Sequence, residues 1–264
     1  MSQRPVKPRH AASLVLTRKR GGVTQILMGR RPSRAAAFPE AFVFPGGRVD
    51  KVDAAITPAT PLSAETLNDL CTRGGCTPVT ARALATAAIR ETFEETGLLI
   101  AAPGDVGTRD GAWAQFTAQG LAPAHDRLRF LGRAITPTSA PRRFHARFFL
   151  ADGEDVLGEV RSNGELDVLD WYPLTDALTL PTIDVTQFIL KELAAAERGH
   201  LRDAPFFRYR RNKPLIQSPI PSPLEGEGGS PRSGETDEGQ RPEAPHQSRL
   251  RRASFPLKGG SAKS

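Results

Sequence analysis

The stretch RETFEETGLL, residues 90–99, carries one arginine and three glutamates, Arg90, Glu91, Glu94 and Glu95, and then reaches a glycine. On a helix, side chains three and four residues apart are neighbours, and like charges so placed destabilise it by about a few tenths of a kcal/mol per pair. The last turn is also the negative end of the helix dipole, where anions are least welcome. Three carboxylates there call for a positive partner or for open water. On a helical wheel they fall within a sector of roughly 100°. Leu84, Ala87 and Ala88 occupy that sector one and two turns earlier. An acidic patch facing bulk water would continue upstream as polar residues. This one continues as apolar residues, which favours a cleft over a solvated helix end as the place of the carboxylates. Oxygen donors one turn apart on a rigid helix suit a hard divalent cation, Mg²⁺ or Mn²⁺, which keeps some waters and takes further oxygens from a substrate phosphate. Arg90 stands four residues before Glu94 and can hold a carboxylate by a two-pronged contact.

A second element lies upstream. Phe44-Pro45-Gly46-Gly47 follows a short apolar run, and paired glycines let a backbone turn tightly and come close to a ligand. FPGG followed by RETFEETGL resembles the Nudix box, whose usual form is a glycine, five residues, a glutamate, seven residues and then REUXEEXGU, with U apolar. Arg90 to Leu98 match, with Thr92 in an apolar place. Counting from Gly47, the first acidic place falls on Asp53, and 36 residues then separate it from Arg90. The box is therefore split by an insertion at about residues 51–79. The split box, together with ITPTSAPRRFHARFFLA further on, is similar to the branch of the superfamily that contains the peroxisomal coenzyme A diphosphatase.

The resemblance implies a Nudix-type α/β/α sandwich with a mixed sheet, and metal-dependent hydrolysis of the diphosphate in a nucleoside-diphosphate-X substrate. Coenzyme A or acyl-coenzyme A is the first expectation. An ADP-ribose or NADH pyrophosphatase and a non-catalytic Nudix-like module are the alternatives. Glu94 and Glu95 match the principal metal ligands, Gly46 matches the glycine whose carbonyl completes the shell, and Glu91 matches a residue that serves as ligand or base. Arg90 matches the arginine that orients a glutamate. Glu165 resembles a position that often carries an acid. Arg30, Arg31 and Arg34 before FPGG are expected to hold phosphates, although by pattern they are equally ordinary solvated charges, and Arg142 and Arg143 share that ambiguity with contact slightly favoured by the aromatic strand that follows.

The elements that must position these groups are legible in outline. Strands are expected at residues 11–17, 25–29, 42–44, 98–101, 128–136, 144–150 and 168–172. Helices are expected at 63–71, 80–97, 112–119 and 185–196, with Gly97 as a C-cap. The intermixing of strands and helices points to a mixed sheet with helices packed on it. Residues 1–209 form the expected domain. Residues 210–264, rich in Pro, Gly and Ser, read as a disordered basic tail.

The bulk numbers exclude other classes. Among 264 residues 39% are apolar, enough for one sizeable core, and no run reaches the roughly 18 apolar residues of a membrane span. Two cysteines, in CTRGGC, make neither a disulfide framework nor a complete zinc site, so a reducing, cytoplasmic setting is expected. The net charge of +7 suits an anionic ligand but is too mild for a nucleic-acid surface. The expected partner is a small-molecule phosphoanhydride, with a homodimer the one assembly allowed for.

Overall fold

The structure is a computed structural model that describes residues 6–35, 37–200, 204–210 and 213–217. The described chain runs β1 (Arg9–Arg20), β2 (Val23–Arg30), β3 (Phe42–Val43), β4 (Gly46–Arg48), α1 (Ala64–Thr72), α2 (Pro78–Thr96), β5 (Ala101–Pro103), α3 (Trp113–Ala118), β6 (Leu121–Pro123), β7 (Arg129–Ile135), β8 (Phe144–Asp152), β9 (Asp167–Pro173), α4 (Leu174–Ala177), α5 (Asp184–Glu197), β10 (Phe206–Arg210) and β11 (Lys213–Gln217).

Among the described residues one large mixed sheet runs in the order β11-β10-β7-β8-β1-β2-β3, with β4 also pairing β1 and β9 also pairing β2. β1 runs parallel to β8 and antiparallel to β2 and β4. It is buried on both faces, which explains its unbroken apolar centre, Leu14-Val15-Leu16. Leu14 and Leu16 point to one core, with Leu84, Ala88 and Ile89 of α2 and Phe149 of β8. Val15 points to the other, with Ile26, Phe148 and Phe188, Ile189 and Leu193 of α5. Helices cover both faces of the sheet, as the expected sandwich requires.

The long helix α2 has its ends written into the sequence. The Thr77 hydroxyl accepts from the Thr80 N–H at 3.3 Å, and Pro78 opens the first turn where its missing N–H costs nothing. Gly97 closes it at φ 73°, donating to the Phe93 carbonyl at 2.8 Å.

The sheet extends past the expected boundary near residue 209. β11 pairs antiparallel with β10, and Pro214, opposite Tyr209, is tolerated because β11 is an edge strand whose missing N–H breaks no ladder. The Pro-rich composition concealed this strand. The rest of the expected tail, from residue 218, lies outside the described residues. The diglycine segment, read as a turn, is itself the short strand β4, pinned to β1 with Gly47 opposite Ala12.

One core histidine makes the fold sensitive to acid. His125 is fully buried, and its Nε2 lies 3.1 Å from the Thr86 hydroxyl, which itself donates to the Arg82 carbonyl. Nε2 must then carry the proton, leaving Nδ1 without a partner among the described residues. Burial drives its pKa down to about 4. Below the ordinary value of about 6.5 the unfolded chain takes up a proton that the fold refuses, so stability is full above that pH and drains as pH falls toward 4. Urea unfolding at pH 7 and pH 5 should differ by about 2 kcal/mol from this group alone. A His125→Gln variant should lose that part of the slope, and an unchanged slope would show that His125 is not the responsible group.

Candidate active site

Arg90 is the centre of the constellation, and it is buried. Its guanidinium is saturated with acceptors. Nε and Nη2 grip both oxygens of Asp53 at 2.8 and 3.0 Å, Nη1 reaches Glu94 at 2.8 Å and Glu91 at 3.0 Å, and Nη2 also donates to the Arg48 carbonyl at 3.1 Å. This answers the question posed by the crowded acids: the cation that they call for lies among them. Burial works against the Arg90 charge, but the Asp53 contact outweighs it, with Glu91 and Glu94 adding to the effect, so its pKa is raised.

Asp53 is more than a remnant of the split box. It lies in a 3-10 turn, Lys51–Ala54, is almost wholly buried, and accepts from the Asp50 N–H at 2.7 Å. The turn holds Asp53 by its own backbone while Arg90 holds it across 37 residues of sequence. An intact contact thus lies at the very start of the insertion. Sequence reasoning missed this partnership, although the signal was present in an acid separated from Gly47 by five residues.

Gly47 supplies the seat for Glu91. A Cβ built on Gly47 would stand 2.4 Å from the Glu91 carboxyl carbon, so any side chain there would evict the carboxylate. Glu95 is anchored from the same strand, its Oε2 accepting from the Gly46 N–H at 2.9 Å. Burial pushes Glu91 up to about 7, opposed by Arg90 and reinforced by Glu94. Burial pushes Glu95 up to about 8 against the Gly46 N–H, and the charges of Glu91 and Glu165 add to it.

The remaining expected residues divide. Glu165 is exposed in the loop before β9, and its charge raises Glu95, so the structure brings it toward the site. Arg31 is half-buried, attracts Glu95 and leaves its buried Nε without a partner among the described residues. Arg34 reaches the Gly164 carbonyl at 3.4 Å, linking the loop after β2 to the loop that carries Glu165. Arg30 is turned to Glu40 at 3.2 Å. Arg143 donates to the Thr136 and Val6 carbonyls at 3.2 and 2.8 Å, and Arg142 is exposed in the β7–β8 connection. These last three are engaged elsewhere or open to water.

Among the described residues no three or more His, Cys, Asp or Glu side chains converge as a ready cation site. The reason is visible in the contacts: Glu94 turns to Arg90 and Glu95 to the Gly46 amide. The donor chemistry nevertheless fits a hard divalent cation. Glu91 and Glu95 are oxygen donors whose negative charge is penalised where they sit, and neither has a cationic partner sufficient to hold its pKa down.

The chain is similar to a crystal structure of a Nudix hydrolase from Alicyclobacillus acidocaldarius, 33% identical over 72% of this chain and 92% of that one, with a TM-score of 0.58. The chain belongs to the Nudix hydrolase family. A MutT Nudix hydrolase from Burkholderia pseudomallei is 19% identical over 70% of this Nudix chain and 98% of its own, with a TM-score of 0.41. A C. elegans Ap4A hydrolase in a binary complex is 18% identical over 72% and 98%, with a TM-score of 0.39. No protein-family model and no curated protein sequence matches the chain.

Two substitutions test the geometry of this Nudix hydrolase. Asp53→Asn removes one charge from a buried pair and leaves Arg90 undercompensated, so it should cost about 2–4 kcal/mol in urea unfolding. A loss below about 0.5 kcal/mol, the range of neutral surface changes, would show that the pair is dispensable. Gly47→Ala should leave the circular dichroism spectrum intact while lowering kcat by about a hundredfold, because the Glu91 carboxylate must leave its seat.

Proposed function

We propose that this Nudix hydrolase is a metal-dependent pyrophosphohydrolase that cleaves the diphosphate of a nucleoside-diphosphate-X substrate, with coenzyme A or acyl-coenzyme A as X-bearing substrate. The observation that carries the hydrolytic reading is the complete Arg90 hub: Asp53, Glu91 and Glu94 gathered on one guanidinium, with Glu95 beside Gly46. A non-catalytic module of this kind usually lacks one or more of the box carboxylates, whereas Glu91, Glu94 and Glu95 are all present here with Arg90. The coenzyme A reading is supported by the split box and by the ITPTSAPRRFHARFFLA segment.

Glu91, Glu94 and Glu95, with Gly46 beside them, are the residues that would hold Mg²⁺ or Mn²⁺. When bound, such an ion neutralises charge on non-bridging phosphate oxygens and lowers the pKa of coordinated water. The chain contributes position and charge. Arg90 fixes Glu91 and Glu94 on one side, and Gly46 and Gly47 fix Glu95 and Glu91 on the other. Arg31, half-buried and close enough to attract Glu95, is the candidate to meet a phosphate oxygen. Glu165, exposed and within electrostatic reach of Glu95, is the candidate base that would take the proton of the attacking water. As the water oxygen bonds to phosphorus, the bridging P–O bond breaks and a monophosphate departs.

Glu94→Gln and Glu95→Gln should each lower kcat by about a hundredfold or more with the fold retained. Unchanged rates at saturating Mn²⁺ would refute the assignment. Mn²⁺ should also raise the melting temperature of the wild type, by mass action on the folded state, and Glu95→Gln should abolish that rise. The substrate is decided by product mass across coenzyme A, ADP-ribose and NADH. Release of 3′,5′-ADP from coenzyme A supports the reading, whereas AMP from ADP-ribose or NADH alone replaces it.

A further inference from the structure

The α2 face of the sheet carries a second charged cluster, and it is cationic throughout. Reading the register across five strands, Phe206 lies opposite Arg133, Arg133 opposite Arg147, Arg147 opposite Ala12 and Ala12 opposite Gly47. Opposed residues share a face of a sheet, so one row runs from the glycine that seats Glu91 to an arginine-rich corner. With strands about 4.8 Å apart, Arg133 stands roughly 14 Å from Gly47.

Arg147 is fully buried, and its donors are spent on neutral acceptors. They reach the Gly74 carbonyl at 3.1 and 2.9 Å, the Gly75 carbonyl at 3.2 Å, the His145 carbonyl at 2.8 Å and His10 Nδ1 at 2.9 Å. Beside it, the Arg133 guanidinium lies over the Phe206 ring at 3.8 Å and points Nη1 at His145 Nε2, 3.4 Å away. Arg208 stands 5.9 Å from the same ring. Among the described residues none of these arginines forms an ion pair with a carboxylate, and the buried Nε atoms of Arg133 and Arg208 have no hydrogen-bond partner.

The neighbours also dictate the histidine tautomers. A guanidinium only donates, so His10 Nδ1 and His145 Nε2 must accept, and the protons sit on His10 Nε2 and His145 Nδ1. Burial, with the charges of Arg147 and Arg133, drives His145 down to about 3, and burial with Arg147 and Lys7 lowers His10, so both rings are neutral donors. The corner therefore offers N–H groups and positive charge with no carboxylate partner among the described residues. Such an arrangement carries both like-charge repulsion and unmade hydrogen bonds. His10 is exposed, and Arg133, His145, Phe206 and Arg208 are half-buried, so the corner is open to a ligand.

We propose that this corner is an oxyanion site that takes a phosphate monoester between Arg133, Arg208 and the N–H groups of His10 and His145. A ligand of that chemistry supplies the negative charge that these arginines lack. Its source is either free phosphate or the phosphate monoester that coenzyme A carries on its ribose, and the latter rests on the substrate reading above.

Calorimetric titration of inorganic phosphate and of 3′,5′-ADP into the full chain tests the site without any turnover. Arg133→Gln and Arg208→Gln should each weaken phosphate binding by about tenfold, the worth of one charge-assisted contact, while Glu95→Gln leaves it unchanged. If Arg133→Gln fails to fold, the half-exposed Arg208 supplies the same measurement. The absence of phosphate binding in the wild type, or equal affinity in Arg208→Gln, overturns the proposal whatever the enzyme hydrolyses. A KM for coenzyme A about tenfold below that for 3′-dephospho-coenzyme A, and equal KM values in Arg208→Gln at unchanged kcat, assigns the site to the substrate. Equal KM values in the wild type with phosphate binding intact assign it to free phosphate.

Discussion

A single buried guanidinium organises the catalytic half of this protein. Arg90 is removed from water at a cost that only several acceptors can offset, and it finds them in both oxygens of Asp53, in Glu91, in Glu94 and in the Arg48 carbonyl. The contacts tie three separate pieces of chain together: the 3-10 turn, the strand β4 and the last turns of α2. They also make tolerable a crowd of carboxylates that would otherwise weaken the end of a helix. Burial, with the remaining repulsion added to it, raises the pKa values of Glu91 and Glu95, and these mark where a cation would relieve the site.

The same contact explains how the box survives an insertion. Its two halves need only be held at their ends, and loop-closure entropy grows slowly with length, so lengthening the connection costs little. Here the connection is also folded. It carries α1, whose Leu70 is fully buried in the core beneath α2, and its last turn delivers the Gly74 and Gly75 carbonyls to Arg147. The insertion is therefore anchored at one end by Arg90 and near the other by Arg147, two buried arginines that solve the same desolvation problem differently. Arg90 uses carboxylates; Arg147 uses neutral carbonyls and an imidazole, and burial leaves its pKa down at about 10.

The sheet separates these two chemistries along one row. Gly47 and Ala12 keep the middle of the row small, with the acids seated at one end and the arginines gathered at the other. β1 makes this possible because it is the strand that pairs with β4 on one side and with β8 on the other. Its alternating side chains feed both cores, so its register cannot slip without exposing one of them.

Much of this was local and therefore legible in the chain itself. The REXXEE spacing, the Thr77 cap, the Gly97 stop and the apolar run of β1 follow from periodicity and from backbone preferences that each segment carries alone, and with them came the family and the sandwich. What the sequence could not supply were partnerships between distant residues. Asp53 meets Arg90 across the insertion, Gly47 touches Glu91, Arg30 turns to Glu40 and Arg143 to the Val6 carbonyl. β11 was hidden for the same reason, since a short Pro-containing segment becomes a strand only when an edge is there to receive it. Residue types determined which chemistry was available, whereas the tertiary structure decided which charges face one another, because Coulomb and hydrogen-bond energies depend on distances that only the folded sheet sets.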